Sequence, residues 1–221
     1  MLPKFKNKQL LITALTHRSA LNEKETSGTT AEESNERLEF LGDAVLELST
    51  TRFLFNKFPD EPEGILTAFR SALVKTGTLA DVARELELGK KMYMSKGEEA
   101  TGGRDNDSLL ADTTEAIIGA LYLDQNFDAV EDFLKKYLFV KFDEIKKNRA
   151  YKDAKSLLQE MVQSKGCPTP NYEVVKAEGP DHDKQFTINV LVGDQIKGTG
   201  VGKSKQLAQQ DAAKQALGEF E

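Results

Sequence analysis

Near residue 150 the hydrophobic period of this chain changes, and that change decides what it can fold into. From residue 1 to about 148, the segments KQLLITALTHRSAL, ERLEFLGDAVLELSTTRFLFNKF, GILTAFRSALV, TLADVARELEL, DSLLADTTEAIIGALYLD and DAVEDFLKKYLFVKFDEI carry apolar residues at helical spacing. Breaks fall at NEKETSGTTAEES, read as a polar loop, at PDEPEG, read as a turn, and at TGGRDND, a glycine-rich connection. No strand pattern of similar strength occurs there, which predicts an all-α first half. EIKKNRAYKD is charged and lacks apolar periodicity, as a linker would. Beyond it, the helical DAKSLLQEMVQSKG precedes NYEVVKAEG and QFTINVLV, where Phe186, Ile188, Val190 and Val192 alternate at period two. QIKGTGVG reads as a third strand and SKQLAQQDAAKQALGEF as a closing helix. The expectation is an all-α domain over 1–147, a linker over 148–152, and a small α+β domain of order α-β-β-β-α over 153–221.

Chemistry enters with NERLEFLGDAVLEL. At 100° per residue, Glu36, Glu39, Asp43 and Glu47 form one narrow stripe, while Leu38, Leu41, Val45 and Leu48 take the opposite face as core. A solvated acidic face is the ordinary account of such a stripe. Phe40 and Leu46 flank it, however, and leave the helix apolar almost all round, which predicts burial. Buried carboxylates need cations, so a metal site is favoured. In DSLLADTTEAIIGALYLD, Asp112 and Glu115 share a face with the small residues Ala111, Ala116 and Gly119, and Leu110, Ile117 and Leu121 form the other side. Small residues, with Gly42 beside Asp43, allow two such helices to approach and present oxygen ligands to a hard cation. Surface charge remains the competing reading of Asp112 and Glu115.

Composition lends nucleic-acid binding no support. The net charge is −6, and from Tyr151 onward 9 Lys+Arg face 10 Asp+Glu. The basic patch that usually supplies affinity for phosphate is missing from this count. No apolar run is long enough to span a membrane, and the N-terminal stretch reads as a helix start rather than a signal peptide. The single cysteine, Cys167, cannot form an internal disulfide, in keeping with a reducing cytoplasm.

NERLEFLGDAVL closely resembles the signature of the bacterial ribonuclease III family, and LLADTTEAIIGALYLD resembles that family's second acidic motif. ALTHRSA and EGILTAFRSALV look like further family segments, in the family's order. The resemblance implies a magnesium-dependent, homodimeric endonuclease for double-stranded RNA, with Mn²⁺ as a substitute cation. It implies 5′-phosphate and 3′-hydroxyl products with two-nucleotide 3′ overhangs, and work in rRNA and mRNA processing. The family's metal-binding carboxylates map onto Glu39, Asp43, Asp112 and Glu115, with Asp43 and Glu115 catalytic, and Glu36 and Glu63 match accessory acidic positions. His17, within ALTHRSA, is read as a structural hydrogen-bonding residue.

Phe40 is a large aromatic beside an acidic stripe, which suggests contact with another chain, an intramolecular contact being the alternative. The resemblance places an aromatic here across a two-fold axis. The C-terminal module resembles the double-stranded RNA-binding domain, which reads duplex shape through 2′-hydroxyls and phosphates. Matching contact positions are Ser156, Gln159 and Glu160 on the first helix, His182 in the loop before the second strand, and Lys203, Ser204 and Lys205 at the last helix. Gln206, Leu207 and Gln209 stand where the family is often basic, which predicts weak duplex binding by this module. GTGVGKS is no nucleotide loop, because Lys197 stands where a Walker A loop needs glycine, so no nucleotide cofactor is expected. The rival to an enzyme is a non-catalytic RNA-binding protein of the same fold, and the intact carboxylates argue against it.

Overall fold

Local capping signals start several of the helices. Asn106 accepts the N–H groups of Ser108 and Leu109, Asn126 that of Ala129, and Asp153 that of Ser156. The computed structural model describes residues 2–148, 151, 153–180 and 184–220. It divides into two compact units, Met1–Tyr151 and Lys152–Glu221. The first unit runs α1 (Lys8–Ala14), α2 (Arg18–Leu21), α3 (Lys24–Ser27), α4 (Glu36–Lys57), α5 (Glu63–Val74), α6 (Thr76–Glu85) and α7 (Leu88–Lys91). It continues through α8 (Lys96–Ala100), α9 (Asp107–Asp124), α10 (Phe127–Tyr137) and α11 (Phe142–Lys147). The second unit is α12 (Ala154–Ser164), β1 (Asn171–Glu178), β2 (Gln185–Val192), β3 (Gln195–Gly202) and α13 (Lys205–Phe220).

The all-α first half and the α-β-β-β-α second half are as expected. The core of the first unit is built around α9, whose Leu110, Ile117, Ile118 and Leu121 are buried against Leu38, Val45, Leu46 and Leu54 of α4 and the α6 residues Leu79 and Val82. A second packing centre is aromatic: Phe53 stacks on Phe139 at 4.1 Å, and Phe142 meets Phe69 edge-on at 5.0 Å. Among the described residues, no helix is long and apolar enough to cross a membrane.

Three local expectations need correcting. The stretch read as a polar loop contains α3, and its Thr29 and Ala31 are buried, with the Thr29 hydroxyl 2.8 Å from that of Thr16. The linker segment is helical through Lys147, because Phe142 is fully buried and anchors α11 to the aromatic centre; Tyr151 packs on Phe69 at 4.6 Å. Leu48, assigned to the core, is 60% exposed, and Phe40 is 82% exposed. Helix α4 therefore buries one side only, despite being apolar nearly all round.

In the second unit the strands form an antiparallel sheet of order β1-β2-β3, and Ile188, Val190 and Val192 point into its core as the alternation predicted. Helix α13 lies on the sheet through small residues. A Cβ at Gly200 would stand 2.7 Å from the carbonyl carbon of Asp211, and Ala208, Ala212 and Ala216 of the helix are fully buried. GTGVG is thus a close-packing surface. Along the outer edge of β3, the N–H groups of Thr199 and Val201 donate to Gln215 Oε1 at 3.4 Å and Asp211 Oδ2 at 2.9 Å. Those side chains cover donors that an unprotected edge would offer to another strand.

Candidate active site

Two glycines bring the acidic helices together. A Cβ at Gly42 would overlap the carbonyl oxygen of Glu115 and stand 2.6 Å from its carbonyl carbon, and one at Gly119 would stand 3.1 Å from the carbonyl carbon of Leu38. The backbones of α4 and α9 consequently touch, with no side chain between them. Glu39 lies one turn before Gly42, and Asp112 lies one turn before Glu115. Side-chain oxygens of Glu39, Asp112 and Glu115 gather within 4.8 Å of one another, each residue half-buried.

Packing three carboxylates this closely is costly unless something positive joins them. Burial pushes the Glu115 carboxyl up to about 8, and Asp43, Asp112, Glu39 and Glu47 push it the same way. Glu39 is raised by burial first, then by Asp112, Glu36 and Asp43. Asp112 is raised by burial, with His17 opposing the rise. Every resolved shift in the cluster is upward, with burial as the first cause in each case. An all-oxygen, carboxylate donor set suits a hard divalent ion such as Mg²⁺ or Mn²⁺.

The other acidic candidates are placed differently. Asp43 is exposed, and its charge acts on Glu39 and Glu115, but its oxygens are not among the three that gather. Glu36 is exposed, accepts from the Ser34 hydroxyl at 2.7 Å and faces Arg18 at 3.7 Å. With Glu39 and Asp112 it lines a cavity of about 410 Å³, whose wall also includes His17, Arg18, Asn35 and Leu109. Glu47, on the same stripe, pairs with Arg70 at 2.9 Å. Glu63 stands in the first turn of α5 and accepts from the Thr67 hydroxyl at 2.9 Å, apart from the gathered oxygens. Sequence reasoning missed the proximity of His17 to the acidic cluster. The only available signal was its motif, since α2 and α4 meet here through tertiary packing.

Phe40 borders a groove of about 1030 Å³ with Leu10, Leu41 and Leu123. Leu48 and Phe55 continue the exposed apolar row along α4.

In the second unit, Ser156, Gln159 and Glu160 are exposed on α12. The Ser156 hydroxyl donates to Asp153 at 2.9 Å and so also serves the helix start. Lys203, Ser204 and Lys205 are exposed where α13 begins, and Ser204 Oγ accepts the N–H of Leu207 at 3.2 Å. Leu207 is exposed, and Gln209 accepts from Lys155 at 2.7 Å. His182 lies outside the described residues.

Comparison with known proteins finds relatives of both units. A family model described as Ribonuclease-III-like matches residues 7–142, and one described as double-stranded RNA binding motif matches residues 154–219. Ribonuclease 3 of Geobacillus kaustophilus is 49% identical over 213 residues, covering 96% of this chain and 85% of that protein. Ribonuclease 3 of Pelotomaculum thermopropionicum is 46% identical, covering 96% of this chain and 87% of that protein. Among solved structures, the ribonuclease III nuclease domain of Campylobacter jejuni, studied for flexibility in a region involved in dimer formation, is 42% identical at a TM-score of 0.55. That match covers 61% of this chain and 87% of the Campylobacter chain. With its acidic cluster where two helices cross and its second unit matching the duplex-RNA module, this chain belongs to the ribonuclease III family and is an endoribonuclease of double-stranded RNA.

Proposed function

We propose that the chain is a Mg²⁺-dependent homodimeric endonuclease that leaves 5′-phosphate and 3′-hydroxyl ends with two-nucleotide 3′ overhangs. The observation that carries this reading is the meeting of Glu39, Asp112 and Glu115 within 4.8 Å across two touching helices. These three carboxylates would hold the cation, which supplies Lewis-acid charge and lowers the pKa of a bound water. Asp43, exposed on the same face, is free to orient that water or complete the ligand set, and Glu36 and Glu63 are accessory. Water adds to phosphorus as the bond to the 3′-oxygen breaks, and the departing oxygen takes up a proton.

Endonuclease work is assigned to 1–147, the linker to 148–152 and duplex binding to 153–221. Ser156, Gln159, Glu160 and His182 are assigned to minor-groove contacts, and Lys203, Ser204 and Lys205 to phosphate at a helix N-terminus. The exposed Phe40 and its apolar row support an interface between two copies, so that each site meets one strand of a duplex. The proposed setting is rRNA and mRNA processing in the cytoplasm, consistent with a lone cysteine.

The test is incubation with long duplex RNA and Mg²⁺, beside EDTA and Glu115→Gln controls, with end-group and overhang mapping of the products. Wild-type cleavage that both controls abolish, with Glu115→Gln still binding duplex, is expected. A wild type that binds without cutting would instead identify a non-catalytic RNA-binding protein.

A further inference from the structure

Arg18 is the permanent cation among the described residues that line the cavity of about 410 Å³, where Glu36, Glu39 and Asp112 supply negative charge. Its backbone is fixed on both sides. Asn35 N–H donates to the Thr16 carbonyl at 2.9 Å, His17 N–H to the Tyr93 carbonyl at 2.9 Å, and Ser95 N–H to the Ser19 hydroxyl at 3.0 Å. Asn35 immediately precedes α4, so the segment that carries Arg18 is pinned to the start of the helix that carries Glu36 and Glu39.

The side chain is held more loosely than the backbone. Arg18 Nη1 lies 3.7 Å from Glu36 Oε1, and the two side chains are 74% and 57% exposed. A charge-assisted hydrogen bond would be closer, at about 2.7–2.9 Å. Exposed pairs of this kind contribute little and exchange readily. The other Glu36 oxygen, Oε2, accepts from the Ser34 hydroxyl at 2.7 Å, so the carboxylate is steered from its far side. Glu36 thus keeps the guanidinium at the cavity while leaving most of its N–H donors to other partners.

Charge decides what those donors meet. Glu39, Asp112 and Glu115, once ionised, outweigh a single divalent cation, and an RNA phosphate arrives with a further negative charge. A second positive group beside the cation offsets that repulsion, and the planar fork of arginine matches two phosphate oxygens. We propose that Arg18 binds a backbone phosphate of the RNA strand that enters this cavity, exchanging Glu36 for two phosphate oxygens. This role rests on the reading of Glu39, Asp112 and Glu115 as the cleavage site. Glu36 is the resting partner that keeps the fork in place while RNA is absent.

Arg18→Gln keeps hydrogen-bonding capacity but removes the charge and the fork. With saturating Mg²⁺ and a synthetic duplex, its kcat/KM should fall about tenfold or more, as for a lost charge-assisted hydrogen bond. The log–log dependence of kcat/KM on salt should become shallower by about one. Arg18→Lys, which keeps the charge without the fork, should retain the wild-type salt slope at an intermediate rate. Calorimetric Mn²⁺ affinity of the RNA-free full chain should stay unchanged in both variants, unlike that of a metal ligand. Their unfolding temperatures should stay unchanged too, unlike those of a residue lost from the fold. Duplexes with single uncharged methylphosphonate linkages around the cleavage position locate the contact: one linkage should slow the wild type but leave Arg18→Gln no slower than before. A wild-type salt slope in Arg18→Gln would overturn the proposal, and so would equal slowing of wild type and variant by every linkage. A raised Mg²⁺ requirement with the salt slope intact would also overturn it, showing that Arg18 acts through Glu36 on the metal. Should Arg18→Gln fail to fold, the linkage scan on Arg18→Lys decides. Glu115→Gln is measured alongside: if it cleaves like the wild type, the cleavage-site reading itself fails. If it abolishes cleavage while Arg18→Gln behaves like the wild type, only the role of Arg18 falls.

Discussion

Glu115 sits half-buried where α4 and α9 cross, and its carboxyl is held at about 8 by burial and by the four acidic residues around it. Its ordinary value is 4.5, so the folded protein favours the neutral form. The stability it contributes is complete below about pH 4.5 and is lost as pH rises through about 8. Thermal unfolding in EDTA should therefore show the metal-free wild type losing stability between these limits relative to Glu115→Gln, which has no such proton to lose. Adding Mg²⁺ at high pH should restore wild-type stability and release protons to the buffer, because the ligand must ionise to bind. A wild-type and Glu115→Gln pair with parallel pH profiles would show that Glu115 keeps an ordinary carboxyl.

At the scale of elements, the site depends on how closely two helices can approach. Gly42 and Gly119 were legible as small residues beside the carboxylates, and the contact they make is backbone on backbone. Gly42→Ala must separate α4 from α9 and so spread Glu39 away from Asp112 and Glu115. Loss of about 1–3 kcal/mol in denaturant unfolding is expected from the overpacking alone. Mn²⁺ affinity and cleavage should fall further than this stability loss explains, because the ligand spacing changes as well. Gly64, where a Cβ meets nothing within 4 Å, is the control: Gly64→Ala on α5 should leave Mn²⁺ affinity unchanged.

At the scale of the whole molecule, exposed side chains bear on assembly and on RNA affinity. Phe40 is 82% exposed in a row with Leu48 and Phe55, an arrangement that a lone chain leaves in water. Sedimentation should show a dimer that Phe40→Ala weakens by about 2 kcal/mol, roughly 30-fold in Kd, since a central aromatic anchor carries that much of an interface. An unchanged dimer would place the interface elsewhere. In the second unit, Lys203 and Lys205 are exposed at the start of α13, but Leu207 and Gln209 follow them. Filter binding of duplex RNA by the full chain, with EDTA to prevent cleavage, should give a shallow log–log salt slope of about −2 to −4. Replacing Leu207 and Gln209 with lysine should steepen it, and a steep slope in the wild type would mean that other residues supply the phosphate contacts.

Local periodicity was enough to separate a helical half from an α-β-β-β-α half, because apolar spacing is a short-range property that each segment carries by itself. The same logic put Glu39 on one stripe of its helix and Asp112 and Glu115 on one face of theirs, beside the small residues that let the helices meet, while the resemblance to a family singled them out as metal ligands. What local pattern could not decide is which apolar side of α4 faces protein, and so Leu48 was assigned to the core although it is exposed. Nor could it tell that Glu47 on the acidic stripe is taken by Arg70, or that Asp43 stands outside the gathered oxygens. Those outcomes depend on residues far away in the chain, such as Arg70 from α5 and the segment holding His17. Only tertiary packing sets distances between them, and a metal site is a matter of distances.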